Sequence, residues 1–200
     1  MPPAVVVHGF ETSNNAKVRV ALGYQGIAYE FRTIDPADRE AIFRISGQYL
    51  TPVLEHGGRV VFDSAAIIRY LAAAFPDTPR LLGRSRSEQW EVEKWELFAR
   101  ATLAGPVMEV IHNRVDGTPL DDEATAACSD RFGEALAKIA QRMEGREWLV
   151  GESMSVADIT AACIVQRVRN VGMFPYPSQA DSLLPFVERV LEFDGPCRVE

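Results

Sequence analysis

The chain has 200 residues, 47% of them hydrophobic and 24% charged, with a net charge of −7. That is an ordinary globular composition, long enough for one large or two small cored domains. With no basic run in the sequence, the charge argues against a nucleic-acid surface or an anionic-membrane patch. No apolar run approaches the roughly 20 residues of a membrane-spanning helix. The N-terminus, MPPAVVVHGF, lacks both the basic start and the long apolar core of a signal peptide. Cys128, Cys163 and Cys197 are odd in number and widely spaced, which indicates neither a disulfide framework nor a zinc site. A cytoplasmic protein without a metal, a nucleic-acid partner or a membrane partner is expected.

Ala4 to His8 is a short, wholly apolar run that predicts a strand buried on both faces. Gly9 to Asn15 is a turn-and-cap cluster, and Ala16 to Gln25, with Val18, Ala21 and Leu22 on one side, predicts a short helix. Ala28 to Ile34 alternates and is rich in strand formers. Asp35 to Ser46 predicts a short helical segment carrying Ile42, Phe43 and Ile45. Pro52, Val53-Leu54, the Gly57-Gly58 turn and Val60-Val61-Phe62 predict a hairpin with proline at the start of its first strand. Ala65 to Phe75 then reads as a helix with Ser64 as its N-cap.

The order is β-α-β-α-β-β-α, with one parallel strand pair and an antiparallel hairpin. This module is placed at residues 1–76, with a proline-rich linker at 77–86. Beyond it the strand signals stop. Helices are predicted over Ser87 to Arg114, with a kink at Gly105-Pro106, and over Asp121 to Gly145, Ser155 to Arg169 and Leu183 to Phe193. Residues 87–200 therefore form an all-helical domain. Within it, Met154-Ser155-Val156-Ala157-Asp158-Ile159 predicts a capping box between Ser155 and Asp158. Met154 and Ile159 stand at the hydrophobic staple positions, and the motif is a folding device.

Two stretches can carry chemistry. A helix start with a free hydroxyl and free N–H groups, as at Asp63-Ser64, suits a carboxylate. The backbone before Pro52 is an exposed edge beside it. The same residue types also cap helices, so both roles stay open on sequence alone.

Taken in order and spacing, four segments carry a resemblance over nearly the whole chain: ETSNNAKVRVAL, Thr51-Pro52-Val53-Leu54, Asp63-Ser64 and WLVGESMSVADI. Together they resemble the cytosolic glutathione transferase superfamily. The resemblance implies a thioredoxin-like N-terminal domain with a cis proline at Pro52, followed by an all-helical C-terminal domain. It implies that Thr51 offers its main-chain N–H and C=O to the cysteinyl part of glutathione like an added strand. Ser64 would hold the γ-glutamyl carboxylate, and Asp63 would balance the amino group.

Counting back from Lys17-Val18, the position of the family's catalytic serine or cysteine falls on Thr12, with Ser13 and Asn14 next. Thr-x-Asn is similar to the nu-class bacterial enzymes, which resemble glutathione-dependent disulfide reductases as much as transferases. The chemistry needs a thiolate, whose ordinary pKa is about 8.5. Lowering it by about two units takes roughly 2.7 kcal/mol, which one hydrogen bond to a charged group, at about 1.5–3 kcal/mol, can supply. Thr12, Ser13 and Asn14 are each candidates for that donor. For the glycine end of glutathione the candidates are Gln48, Arg39 and His56. The resemblance implies a small hydrophobic electrophile or a disulfide as second substrate. That substrate would sit between the domains, against Phe10 and the 98–112 stretch. A homodimer is implied too, the helix after Ser64 packing on the partner's first long helix. A non-catalytic binding protein on the same fold is the third possibility. His8 reads as packed, Trp90 and Trp95 as core or interface, and Cys163 as a buried thiol.

Overall fold

The computed structural model describes residues 5–195; Ala4 and Cys197 lie outside the described residues. The chain divides into two compact units, one running to Leu82 and joined by the residues from Leu191 on, the other Gly83–Val190.

The first unit holds β1 (Val5–Gly9), α1 (Ser13–Tyr24), β2 (Tyr29–Thr33), α2 (Glu40–Ser46), β3 (Val53–His56), β4 (Arg59–Phe62) and α3 (Ser64–Ala74). The sheet order is β2-β1-β3-β4; β1 pairs parallel with β2 and antiparallel with β3, and β3 antiparallel with β4. The succession of elements, the parallel pair and the hairpin are those the sequence predicts; the strand order and the antiparallel β1–β3 pairing are added by the structure. The hairpin turns on Gly57 (φ 56°) and Gly58 (φ 79°), two left-handed residues in a row, which suits a tight two-residue connection.

Strand alternation divides the core between the two faces of the sheet. Val5, Val7, Tyr29 and Leu54 meet Val18 and Leu22 of α1 and Ile67 and Leu71 of α3. On the opposite face Val53 meets Ile34 and Ile42 of α2. His8, on that second face, is 4% exposed and lies 2.6 Å from the Glu55 carboxylate, packed and hydrogen-bonded as expected.

The last described residues group with this unit because α1 is shaped to hold them. The Arg19 guanidinium takes the Asp194 carboxylate at 2.7 and 2.9 Å, reaches Glu11 at 3.1 Å and lies over the Phe31 ring. Burial opposes its charge, but Asp194 and then Glu11 outweigh burial and hold its pKa above the ordinary value. Gly23 lets the chain approach: a Cβ there would stand 2.1 Å from the Phe193 carbonyl oxygen, a backbone atom. Gly23→Ala is expected to cost about 1–3 kcal/mol through this clash. A thermal melt equal to that of the unsubstituted chain would show the approach to be dispensable.

The second unit is helical: α4 (Arg86–Leu97), a π-helical stretch (Phe98–Leu103), α5 (Ala104–Val115), α6 (Asp122–Met143), α7 (Val156–Val171), a 3₁₀ turn (Ser178–Leu183) and α8 (Leu184–Leu191). Where a kink at Gly105-Pro106 is expected, these two residues lie in the first turn of α5, and the irregularity is the π-helical stretch just before it. Pro106 has no N–H and crowds the carbonyl four residues back, and the wide π turn before it absorbs both defects. Trp90 is 73% exposed and so is no part of this chain's core. Among the described residues no helix is long and apolar enough to cross a membrane. None of them form a group of three or more His, Cys, Asp or Glu able to hold a metal ion.

Candidate functional site

Three loops of the first unit converge at one end of its sheet. The loop after β1 ends in Thr12, whose extended backbone (φ −144°, ψ 162°) makes it the N-cap of α1. Its Oγ1 accepts from the Asn15 N–H at 3.2 Å and from Asn15 Nδ2 at 2.7 Å. Helix α1 therefore starts three residues before the expected Ala16, and Ser13 is its first residue, half-buried.

The second loop leads into β3. The Thr51–Pro52 peptide bond is cis. Thr51 lies two residues before Val53, the first residue of β3, which pairs with His8 of β1. Its Oγ1 accepts from Asn15 Nδ2 at 3.0 Å. Among the described residues its main-chain N–H and C=O take no partner.

The third loop opens α3. Asp63, not Ser64, is the cap: its Oδ1 accepts from the N–H groups of Ala65 and Ala66, both at 3.0 Å. A carboxylate one residue earlier reaches the second and third N–H groups of the helix, which is cap geometry, and the Ser64 hydroxyl is released from that task. Asp63 holds φ 68° and ψ 123°, the sole non-glycine residue with positive φ among those described. Such a backbone costs of order 1–3 kcal/mol and persists where the surroundings impose it. Ser64 is buried, and its Oγ donates to Asn14 Oδ1 at 3.3 Å.

Two hydrogen-bonded sets thus stand at this end of the sheet, Thr12–Asn15–Thr51 and Asn14–Ser64, adjacent in the chain through Asn14 and Asn15, with Asp63 next to Ser64 and Pro52, buried, next to Thr51. Ser13 makes no side-chain bond to either set among the described residues. Gln48 is bonded within its own loop: its Nε2 donates to Ser46 Oγ and to the Leu50 carbonyl, and its Oε1 accepts from the Leu50 N–H. Arg39 lies over the Phe10 ring at 4.9 Å, with its Nε on the Pro36 carbonyl. His56, at the far end of β3, is bonded to Tyr70 Oη at 2.8 Å. A cavity of about 360 Å³ lies elsewhere, in the second unit, lined by Glu144, Arg146, Trp148 and Glu152, and holds none of these residues.

One member escaped sequence reasoning. Asn15, 0% exposed, joins Thr12 to Thr51. The available signal was spacing: Asn15, Val18 and Leu22 share one helical face.

The arrangement presents hydroxyl groups, unpaired main-chain N–H and C=O groups at Thr51 and a helix N–H at Ser64 that Asp63 does not cap, all at one end of a small mixed sheet. Family models for the glutathione S-transferase N-terminal domain and C-terminal domain match residues 7–79 and 122–192. The chain belongs to the cytosolic glutathione S-transferase superfamily.

Among curated relatives of this superfamily member is the glutathione S-transferase-like protein LUC7 of a Fusarium species. It is 29% identical over 133 residues, 66% of this chain and 56% of that one. Elongation factor 1-gamma of Trypanosoma cruzi is 34% identical over 120 residues, 60% of this chain and 28% of its own length. The chain thus spans about half of the first relative and less than a third of the second. A rice glutathione transferase solved in complex with glutathione superposes with a TM-score of 0.77 at 23% identity, covering 97% of this chain and 90% of that one, a likeness of fold.

Proposed function

We propose that this chain is a glutathione transferase that binds glutathione on its first unit, stabilises the thiolate and delivers it to a small hydrophobic electrophile. The observation that carries this reading is the convergence of the 12–15, 51–52 and 63–64 loops through the Thr12–Asn15–Thr51 and Asn14–Ser64 hydrogen bonds. The open edge at Thr51 suits the cysteinyl main chain as an added strand. The Ser64 N–H, and its hydroxyl once the 3.3 Å bond to Asn14 Oδ1 is exchanged for the ligand, suit the γ-glutamyl carboxylate at the positive end of α3. Asp63 spends one carboxylate oxygen on the helix and keeps the other for the amino group. Of the three candidate donors Thr12 is favoured, because its acceptor side is filled by Asn15 and its proton is left to give. The thiolate then attacks an electrophilic carbon, forming the C–S bond as the leaving group departs with its electron pair. The donor for the glycine carboxylate is proposed to be Arg39 or Gln48. The working protein is proposed to be a cytoplasmic homodimer built on domains at 1–76 and 87–200 joined by 77–86.

The test is calorimetric titration with glutathione beside glutathione disulfide. Saturable binding of the reduced form is expected, weakened about tenfold or more in Ser64→Ala, which removes one hydrogen bond to a charge. No heat and no shift in melting temperature with millimolar glutathione would sink the proposal. Equal binding of the disulfide would redirect it to disulfide reduction, with the thiolate attacking sulfur instead of carbon.

The second reading is a non-catalytic subunit. Threonine at position 12 and the likeness to elongation factor 1-gamma favour it. Glutathione binding without turnover on electrophiles or disulfides would establish it.

A further inference from the structure

Asn15 is fully buried and polar, and its hydrogen bonding is lopsided. A side-chain amide has two donor hydrogens and a carbonyl oxygen. Both donors are used, one on Thr12 Oγ1 at 2.7 Å and one on Thr51 Oγ1 at 3.0 Å. The carbonyl oxygen Oδ1, equally buried, has no partner among the described residues. An unpaired buried acceptor is costly, so a residue kept only to tie two loops together would be better paired. The strand beside it is thinned to admit the amide: a Cβ on Gly9 would lie 1.7 Å from Asn15 Oδ1.

The consequence falls on the Thr12 hydroxyl, which has one proton and two lone pairs. The Asn15 main-chain N–H at 3.2 Å and Nδ2 at 2.7 Å fill the acceptor side. The Thr12 proton has no acceptor in Asn15, because both groups facing it are donors. It is left for an acceptor other than Asn15. Thr51 Oγ1 receives the other Nδ2 hydrogen, so one amide sets the position of both loops.

We propose that Asn15 is a positioning residue: by donating to Thr12 and Thr51 together, it holds the Thr12 hydroxyl as a donor aimed at the thiol of the bound substrate. This rests on the reading that the site holds the thiol of glutathione. Aspartate at the same position would reverse the arrangement. Its carboxylate has no hydrogens to give, accepts the Thr12 and Thr51 protons, and turns the Thr12 hydroxyl away from the thiol. Leucine has nearly the same shape and leaves the Thr12 hydroxyl free to rotate, without adding a charge.

The experiment titrates the thiol of bound glutathione by its ultraviolet thiolate absorbance in the unsubstituted chain, Asn15→Asp and Asn15→Leu. Binding of the S-methyl ether of glutathione and thermal melts run in parallel. Both variants are expected to raise the bound thiol pKa by about one unit or more, a tenfold or larger fall in its ionisation constant. Asn15→Asp should have the larger effect, and binding of the S-methyl ether should stay within about threefold. If the variants fold and bind while the thiol pKa stays unchanged, Asn15 is a packing residue and the inference is overturned, however far the melting temperature drops. If Asn15→Asp does not fold, Asn15→Leu alone decides by the same criterion. Failure of the unsubstituted chain to bind glutathione or its S-methyl ether overturns the underlying site reading and this inference with it, an outcome distinct from binding with an unmoved thiol.

Discussion

Asp158→Ala is expected to lower the melting temperature by roughly 10 °C, the largest effect of any single side-chain truncation outside the apolar core. The Asp158 carboxylate is 0% exposed and accepts three hydrogen bonds: Leu149 N–H at 2.7 Å, Ser155 N–H at 2.8 Å and Ser155 Oγ–H at 2.7 Å. Alanine leaves two buried main-chain N–H groups without an acceptor, at about 1–3 kcal/mol each, and removes the capping box of α7. A loss of about 3–5 kcal/mol in a chain of this size corresponds to roughly 2–4 °C per kcal/mol. Ser155→Ala, which spares both N–H bonds, is expected to cost only about 1 kcal/mol.

The pH dependence has a definite sign. Burial pushes the Asp158 carboxyl above its ordinary value, against the donors from Leu149 and Ser155. The folded chain therefore binds this proton at a higher pH than the unfolded chain does. Its contribution grows as pH falls through the raised value and is smallest at neutrality. The stability gap between the unsubstituted chain and Asp158→Ala should widen, not close, as pH falls from neutrality toward the ordinary aspartate range. A gap that narrows on acidification, or a melt moved by less than about 3 °C, would contradict this account.

This site also shows where sequence stops being informative. Ser155 and Asp158 form a local pattern with fixed spacing, so the box is readable in advance. The third partner, Leu149, comes from the preceding loop nine residues away and leaves no periodic trace. The element order of the first unit is readable for the same reason as the box: strand alternation, helical spacing and the Gly57-Gly58 turn are short-range signals. What misleads is competition between neighbouring polar residues. Asp63 and Ser64 can both cap α3, and the choice depends on a backbone angle, φ 68° at Asp63, that the surrounding fold imposes. At the first helix the whole run Thr12 to Asn15 looks like a cap. Once α1 begins at Ser13, Asn15 lies on the buried face with Val18 and Leu22, and it becomes the link to Thr51. Gln48 shows a competition of another kind, with its own backbone. A side-chain amide in a turn can satisfy itself on its own backbone, and this one does so with Leu50 on both sides. The grouping of residues 191–195 with the first unit depends on Arg19 and Gly23, a cation and a small residue on α1 that mean nothing until their partners are known.

Thr12→Val is the second large effect, and it separates the two functional readings. Valine keeps the shape of threonine and removes one atom's hydrogen bonding. Two losses follow. The cap of α1 disappears and Asn15 loses an acceptor, which should lower stability by about 1–2 kcal/mol. The proposed thiolate donor also disappears, and a hydrogen bond to a charged group is worth about 1.5–3 kcal/mol. At 1.36 kcal/mol per decade this is about a ten- to hundredfold fall in kcat/KM toward an electrophile. It should be carried by a raised thiol pKa, with binding of the S-methyl ether of glutathione little changed. Thr12→Ser retains the hydroxyl and is expected to keep kcat/KM within about threefold, since the cap and the donor both survive. If Thr12→Val turns over glutathione as fast as the unsubstituted chain, the donor is not Thr12, and Asn14, whose Oδ1 faces Ser64 and whose amide hydrogens are free among the described residues, becomes the next group to remove. If the unsubstituted chain binds glutathione but turns over no electrophile and no disulfide, Thr12→Val should change only the melt. In that case the hydroxyl is a helix cap, and the conserved chemistry of the fold has been given over to binding.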